Sequence, residues 1–393
     1  MINRIVDFSS ELITIKRFES GFYKMTRKLT VIDSLTSLRF FAALGVFLHH
    51  LGILNNSDSP FVKTLARYFF NGYSGVTFFY ILSGFIISYS FNRHKMSGEY
   101  DFKDFIVFRI SRLFPVHLLT LAIFIYTFNI IDIPQGVAAV KLLSNIFLVQ
   151  AIIPIQDYYF AFNPVSWSIS CELLFYIAFV FLVGFRTKYL IAFLTISLLF
   201  NIYLADSPIG YFSSRWFFYI NPFFRLSDFI IGMLFCRWFL ASKFQPSVKM
   251  CSIFEVLSLF SFILTVYVAT NYIHNMNFKY DLFFIPCMFL IVATFSFNNG
   301  IVSRFLSNKI LKFLGESSFS FYMIHYIFVS KLNELLLPSP NNKKELVAYI
   351  LIAFVCSLLS SMLMCKLFEL PINKFIRNKW VSFRYSKSLT VVK

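Results

Sequence analysis

The chain has 393 residues, of which 58% are hydrophobic and only 14% charged, with 55 phenylalanines and a mean hydropathy of +0.69. Such a composition excludes an ordinary water-soluble domain, in which about a quarter of residues are charged, and describes an integral membrane protein. The formal charge of +17 would suit nucleic-acid binding, but multi-span proteins also gather Lys and Arg in their cytoplasmic loops, so the position of each charge decides.

Residues 1–33 form a mixed basic tail (Arg4, Lys16, Arg17, Lys24, Arg27, Lys28) with no apolar core ahead of a small-residue cleavage site. No signal peptide is expected. Apolar runs of the length needed to cross a hydrocarbon core of about 30 Å follow near 35–54, 72–92, 112–131, 166–185, 188–206, 219–239, 252–271, 280–297, 313–332 and 346–367. A further run at 137–153 contains Lys141, Asn145 and Gln150. If the ten runs cross and the N-terminus is inside, 27 of the 36 Lys and Arg fall on the cytoplasmic side. An eleventh crossing at 137–153 would move every later basic loop outside, so that run is read as re-entrant or interfacial.

The expected fold is an all-α polytopic bundle of about ten spanning helices. It comprises a membrane domain, 34–375, between cytoplasmic tails at 1–33 and 376–393. Loops are too short to hold a soluble domain, and no internal repeat of the kind many transporters carry is evident. The six cysteines show no C-x-x-C spacing, so neither a metal site nor a disulfide is expected.

The stretch S-L-R-F-F-A-A-L-G-V-F-L-H-H, Ser37 to His50, places ionisable groups inside the first span. Arg39 and His50 are eleven residues apart, about 16 Å along a helix and nearly on the same face. Charged or titratable groups within a span are costly and usually face a bundle interior or a water-filled cavity, which makes both site candidates. Arg39 also has a simpler reading, snorkelling to headgroups near the inner end of its helix. His49, rotated by about 100°, is read as satisfying a neighbouring helix or the interface.

Beyond that helix come G-V-T-F-F-Y-I-L-S-G-F-I-I from Gly75, R-I-S-R-L-F-P from Arg109, W-S-I-S-C-E-L-L-F-Y from Trp167, S-F-S-F-Y-M-I-H from Ser318 and F-E-L-P from Phe368. Together with R-x10-H, these six landmarks stand in the order found in the acyltransferase-3 family of membrane O-acyltransferases, which the chain resembles from about 34 to 375. Two departures are Cys171, where a small aliphatic or polar residue is usual, and Thr77, where the family often has an acid. The chain resembles the stand-alone form, without the soluble esterase-like domain of larger relatives.

The resemblance implies transfer of an acyl group, commonly acetyl, from cytoplasmic acyl-CoA to a hydroxyl of a cell-envelope carbohydrate or lipid-linked glycan at the inner (plasma) membrane. No metal is expected, given the cysteine spacing, and no nucleic-acid partner, given where the charges fall. The residues suit that work. Arg39, Arg109 and Arg112 fall at the cytoplasmic side, where guanidinium forks bind phosphate, although R-x-x-R also fits a plain positive-inside anchor. His50 is the candidate base for the acceptor hydroxyl. Glu172, early in a descending helix, is expected at the depth of His50, as its orienting acid; capping of its own helix is the competing reading. His325 is read as structural, and Arg225 as pairing with Asp228 or binding acceptor. A glycan flippase or polymerase, or a scaffold, would share the hydropathy but not the combination of R-x10-H with R-x-x-R.

Overall fold

The computed structural model describes residues 31–96, 102–129, 135–206 and 212–391; most of the basic N-terminal tail and the last two residues lie outside them. Among the described residues the chain is helical, without strands. The helices are α1 (Asp33–His49), α2 (Pro60–Phe70), α3 (Gly75–Met96), α4 (Phe102–Phe128), α5 (Gln135–Ile146), α6 (Trp167–Leu182), α7 (Thr187–Ala205), α8 (Pro222–Ala241), α9 (Val248–Asn271) and α10 (Ile285–Phe295). The remainder are α11 (Ile301–Leu306), α12 (Lys309–Glu316), α13 (Ser318–Leu336), α14 (Lys343–Met364) and α15 (Leu370–Val391).

Among the described residues, seven helical stretches are long and apolar enough to cross a membrane: 33–56, 60–92, 102–128, 164–182, 187–205, 248–271 and 343–384. The other three expected runs coincide with α8, α10 and α13. Helix α8 carries Arg225, Asp228 and Arg237, and α10 has only 11 residues, about 16 Å at 1.5 Å per residue. Large apolar side chains stand exposed on the outer helices, as at Ile196 on α7, Ile263 on α9 and Leu363 on α14. This is the surface expected of helices that face lipid rather than water. The chain is a multi-pass membrane protein.

The 137–153 run forms α5, 12 residues long and about 18 Å in length, too short to cross. Leu148 then takes a left-handed backbone (φ 55°) and a 3₁₀ turn follows at Gln150–Ile152. Asn145 and Gln150 are buried, and hydrogen bonds pin the segment in place, although Gln150 Oε1 is left without a partner. His117 Nε2 donates to the Asn145 carbonyl at 2.7 Å, Ser170 Oγ donates to the Leu148 carbonyl at 2.7 Å and Gln150 Nε2 donates to Ser166 at 3.1 Å. At the other end of the chain, α15 runs through the boundary placed at 375/376 as one continuous helix.

Helix α1 lies at the centre, packed on α3, α12 and α13, while α13 also packs on α14 and α4, and α6 on α4 and α8. The closest crossing is that of α3 with α8. A Cβ on Gly84 would lie 1.9 Å from the Phe229 carbonyl oxygen, and one on Gly232 would lie 2.0 Å from that of Ile81. Only hydrogen fits at either position, which gives the L-S-G-F landmark a packing cause: small residues let membrane helices approach backbone to backbone. The contact fixes Ser83, one residue before Gly84, against α6. Gly84→Val should therefore force the helices apart and lower stability by about 1–3 kcal/mol or more. Thermal unfolding in detergent checks this, and an unshifted midpoint would show that the crossing can relax.

Candidate active site

Two cavities lie along α1, one at each end of the R-x10-H stretch. The first, about 80 Å³, is lined by Arg39 of α1, Ser83 of α3, Arg109 and Arg112 of α4, and Ser168, Glu172 and Tyr176 of α6, with Phe319 and Tyr322 of α13. Arg109 and Arg112 are three apart on α4 and Arg39 reaches the same space from α1, so helix packing unites three cations that are distant in sequence. None of the three guanidiniums lies within 4 Å of a carboxylate among the described residues. Arg109 instead sits over the rings of Phe105 and Tyr176, 5.6 and 6.0 Å from their centroids, and its Nε is buried without a partner. A membrane cavity with three unpaired guanidiniums and one carboxylate has a positive excess, which a polyanion would neutralise.

That carboxylate is Glu172. It accepts hydrogen bonds from Tyr176 Oη and from Ser83 Oγ, the latter at 3.3 Å. The expected meeting of Glu172 with His50 does not occur: they line different cavities and share no hydrogen bond. The cause is helical rise. Ser168, Glu172 and Tyr176 form an i, i+4, i+8 stripe on α6, and each step carries the face about 6 Å further along the axis. Ser168 bonds to Tyr322, which lines both cavities, and Glu172 is already a turn further along, among the arginines. Nor does Glu172 cap its own helix, since its carboxylate bonds to side chains.

The second cavity, about 300 Å³, is lined by His49 and His50 together with Phe70, Tyr73, Phe160, Trp167, Tyr219, Tyr280, Tyr322 and Tyr326, and by Arg215. Its aromatic wall is continuous. Tyr219 lies 4.7 Å from Trp167, 5.5 Å from Tyr280 and 5.7 Å from Tyr73, and Tyr73 lies 5.6 Å from His49, as ring centroids. A π-helical turn at Trp216–Ile220, ended by Pro222 and the Asn221 cap of α8, delivers Tyr219 into this wall. Such turns often mark functional positions.

His50 is oriented by His325. Its Nδ1 lies 3.0 Å from His325 Nε2, and His325 Nδ1 lies 2.7 Å from the Tyr322 carbonyl oxygen. A carbonyl can only accept, so neutral His325 carries its proton on Nδ1 and has a lone pair on Nε2; His50 Nδ1–H must then be the donor to it. Neutral His50 is thereby left with its own lone pair on Nε2, which is the form a general base needs. The structural hydrogen bond expected of His325 is present, to the Tyr322 carbonyl, and the contact with His50 adds a partner that the sequence does not indicate. His49 is held differently: its Nδ1 donates to the Phe70 carbonyl at 2.7 Å, the satisfied neighbour-helix contact expected of it.

Arg225 stands apart from both cavities' linings and is fully buried. Its guanidinium pairs with Asp228 at 2.9 Å and with Asp281 at 2.8 Å, and donates to Thr77 Oγ1 at 3.0 Å, while Thr77 donates to Asp281 at 2.7 Å. Pairing with Asp228 is thus the alternative realised. Where an acid at 77 would face Arg225 directly, Asp281 supplies the carboxylate and Thr77 bridges to it. The guanidinium also lies under Tyr80 and Tyr219, 5.0 and 5.7 Å from their centroids, so this buried network props up one side of the aromatic wall.

Comparison with known proteins identifies the family. A family model described as an acyltransferase domain matches residues 32–366. The chain is 25% identical over 324 residues to acyltransferase MdmB of Streptomyces mycarofaciens, covering 78% of this chain and 81% of that one. It is 23% identical over 334 residues to O-acetyltransferase OatA of Staphylococcus aureus, covering 77% of this chain but only 51% of that longer protein. No solved structure matches. With the family model covering most of the chain, and both cavities within the matched span, the protein belongs to the acyltransferase-3 family and is a membrane acyltransferase.

Proposed function

We propose that the protein is an O-acetyltransferase that takes acetyl from acetyl-CoA, held at the arginine cavity, and delivers it to a hydroxyl of a carbohydrate or lipid-linked glycan in the aromatic cavity. The observation that carries this reading is the pair of cavities on one helix face: unpaired guanidiniums at one end and an oriented histidine at the other. Coenzyme A is a phosphorylated anion confined to the cytoplasm, so the arginine end faces inward and both termini are cytoplasmic, in the inner (plasma) membrane. The printed name of OatA supports acetyl as the group moved.

In this reading His50 Nε2 accepts the proton of the acceptor hydroxyl as its oxygen attacks the thioester carbonyl. The C–S bond then breaks, and His50 returns the proton to the departing thiolate. His325 holds the imidazole and takes up part of the imidazolium's charge. Sugars present apolar C–H faces and hydroxyl edges, and phenol and indole rings offer the same combination of apolar body and polar tip. Glu172 holds Tyr176 and Ser83 in place and balances part of the arginine charge; it is not the partner of the base.

The test is acetyl-CoA binding to the purified protein. Arg112→Ala and Arg39→Ala should each weaken it by roughly 10- to 150-fold, the value of one charge-assisted contact of about 1.5–3 kcal/mol, with KM rising more than kcat falls. Unchanged affinity in both variants would return the arginines to membrane anchoring and sink the donor assignment.

A further inference from the structure

The two cavities are separate, yet an acyl group has to pass from one to the other. Tyr322 is the residue that lines both. Its ring is 5% exposed, and its hydroxyl is pinned by Ser168 Oγ at 2.8 Å and by the Val165 carbonyl at 3.3 Å. Ser168 Oγ, itself part of the arginine cavity wall, lies 3.0 Å from the same Val165 carbonyl, so two hydroxyl protons are shared among the three contacts of this triangle. On the donor side the Phe79 ring meets Tyr322 edge-on at 6.0 Å, and on the acceptor side the His325 ring lies 5.8 Å away. A phenol latched to a serine therefore stands in the partition between donor and acceptor.

From this geometry we propose that Tyr322, latched on Ser168, is the gate through which the acyl thioester reaches His50, and that its latch excludes water from the thioester while the bulk of its ring limits the length of the acyl chain. The inference rests on the assignment of the two cavities given above.

The side chain and the backbone of Tyr322 have separable duties. Its carbonyl orients His325, whereas its ring and hydroxyl form the latch. Side-chain substitution therefore alters the gate and leaves the carbonyl that holds the base. A phenol fastened by hydrogen bonds to Ser168 and to the carbonyl of Val165, in the turn just before α6, can release by rotamer change, without helix movement. With the latch shut and no acceptor present, the thioester stays away from His50. With the latch loose, water replaces the acceptor: its oxygen bonds to the acyl carbon, the C–S bond breaks, the thiolate takes a proton from His50, and free acid and CoA thiol result.

The experiment follows thiol release from acetyl-, butyryl- and hexanoyl-CoA by purified protein without acceptor, beside acetyl-CoA binding as a control of the arginine cavity. Tyr322→Phe and Ser168→Ala remove the latch and keep the ring, so acetyl-CoA hydrolysis should rise several-fold with chain-length preference unchanged. Tyr322→Ala removes the gate, so the rate ratio of butyryl- to acetyl-CoA should rise at least ten-fold. If Tyr322→Ala does not fold, the two latch variants still decide. Variants that bind acetyl-CoA as wild type does but show unchanged hydrolysis and chain preference would overturn the gate alone. A wild-type protein that neither binds nor cleaves any of the three thioesters would overturn the donor assignment and the gate with it.

Discussion

Replacing His50 by alanine should lower turnover by about 10²- to 10⁴-fold, the usual contribution of a general base, and leave acetyl-CoA binding nearly unchanged. The separation of effects follows from geometry: the arginines are at the other end of α1, and Arg39 is about 16 Å from His50 along the axis. His49→Ala is the necessary companion. The two imidazoles are neighbours in one cavity, 5.1 Å apart as ring centroids, and each is anchored through Nδ1, His49 by a carbonyl and His50 by a second imidazole. Only His50 has a partner that can share the charge once the base is protonated. His49→Ala should therefore stay within a few-fold of wild type. Glycan acetylation measured by mass spectrometry at matched expression checks both, and a dead His49→Ala beside an active His50→Ala would transfer the base to His49 and sink the His50 assignment.

The fold was legible because the membrane leaves few options: backbone polar groups in lipid must be satisfied within helices, so apolar runs and basic loops alone marked where the helices lie. Their number was harder to read. Arg225 and Asp228 neutralise one another within α8, so hydropathy alone underrates that helix, and α10 is a short piece inside a longer apolar run. The gathering of Arg39, Arg109 and Arg112 was partly legible too, since the R-x-x-R spacing puts two of them on one helix face. What failed was depth. Sequence placed Glu172 early in α6 and His50 late in α1 and suggested that they meet, but Glu172 lines the arginine cavity and His50 the aromatic one. His325 shows the complementary limit. Its pairing with His50 spans 275 residues, and nothing local to S-F-S-F-Y-M-I-H tells a buried structural imidazole from one that orients a base.

That pairing supports the second large effect, which falls on His325 although it need not touch either substrate. His325→Ala should leave His50 Nδ1–H without its acceptor in a buried setting, so the imidazole can turn over to its other tautomer or re-bond elsewhere, and the lone pair on Nε2 is no longer assured. Loss of the correct tautomer can cost as much as about 10⁴-fold in a serine-protease triad. Here a loss of roughly 10²- to 10³-fold in kcat is expected, since His49 remains in the cavity and some His50 molecules keep the productive orientation, with acetyl-CoA binding intact. His325→Gln is the informative variant. Its amide oxygen can accept from His50 Nδ1–H and its NH₂ can donate towards the Tyr322 carbonyl, so it should recover at least ten-fold over His325→Ala. A purely packing role makes the opposite forecast, because a shape-matched apolar residue would then serve as well as glutamine. Comparing alanine, leucine and glutamine at this position, with kcat and donor affinity measured separately, distinguishes the two. If leucine matches glutamine, His325 does no more than fill space and the relay from the Tyr322 carbonyl through His325 to His50 has no part in the reaction.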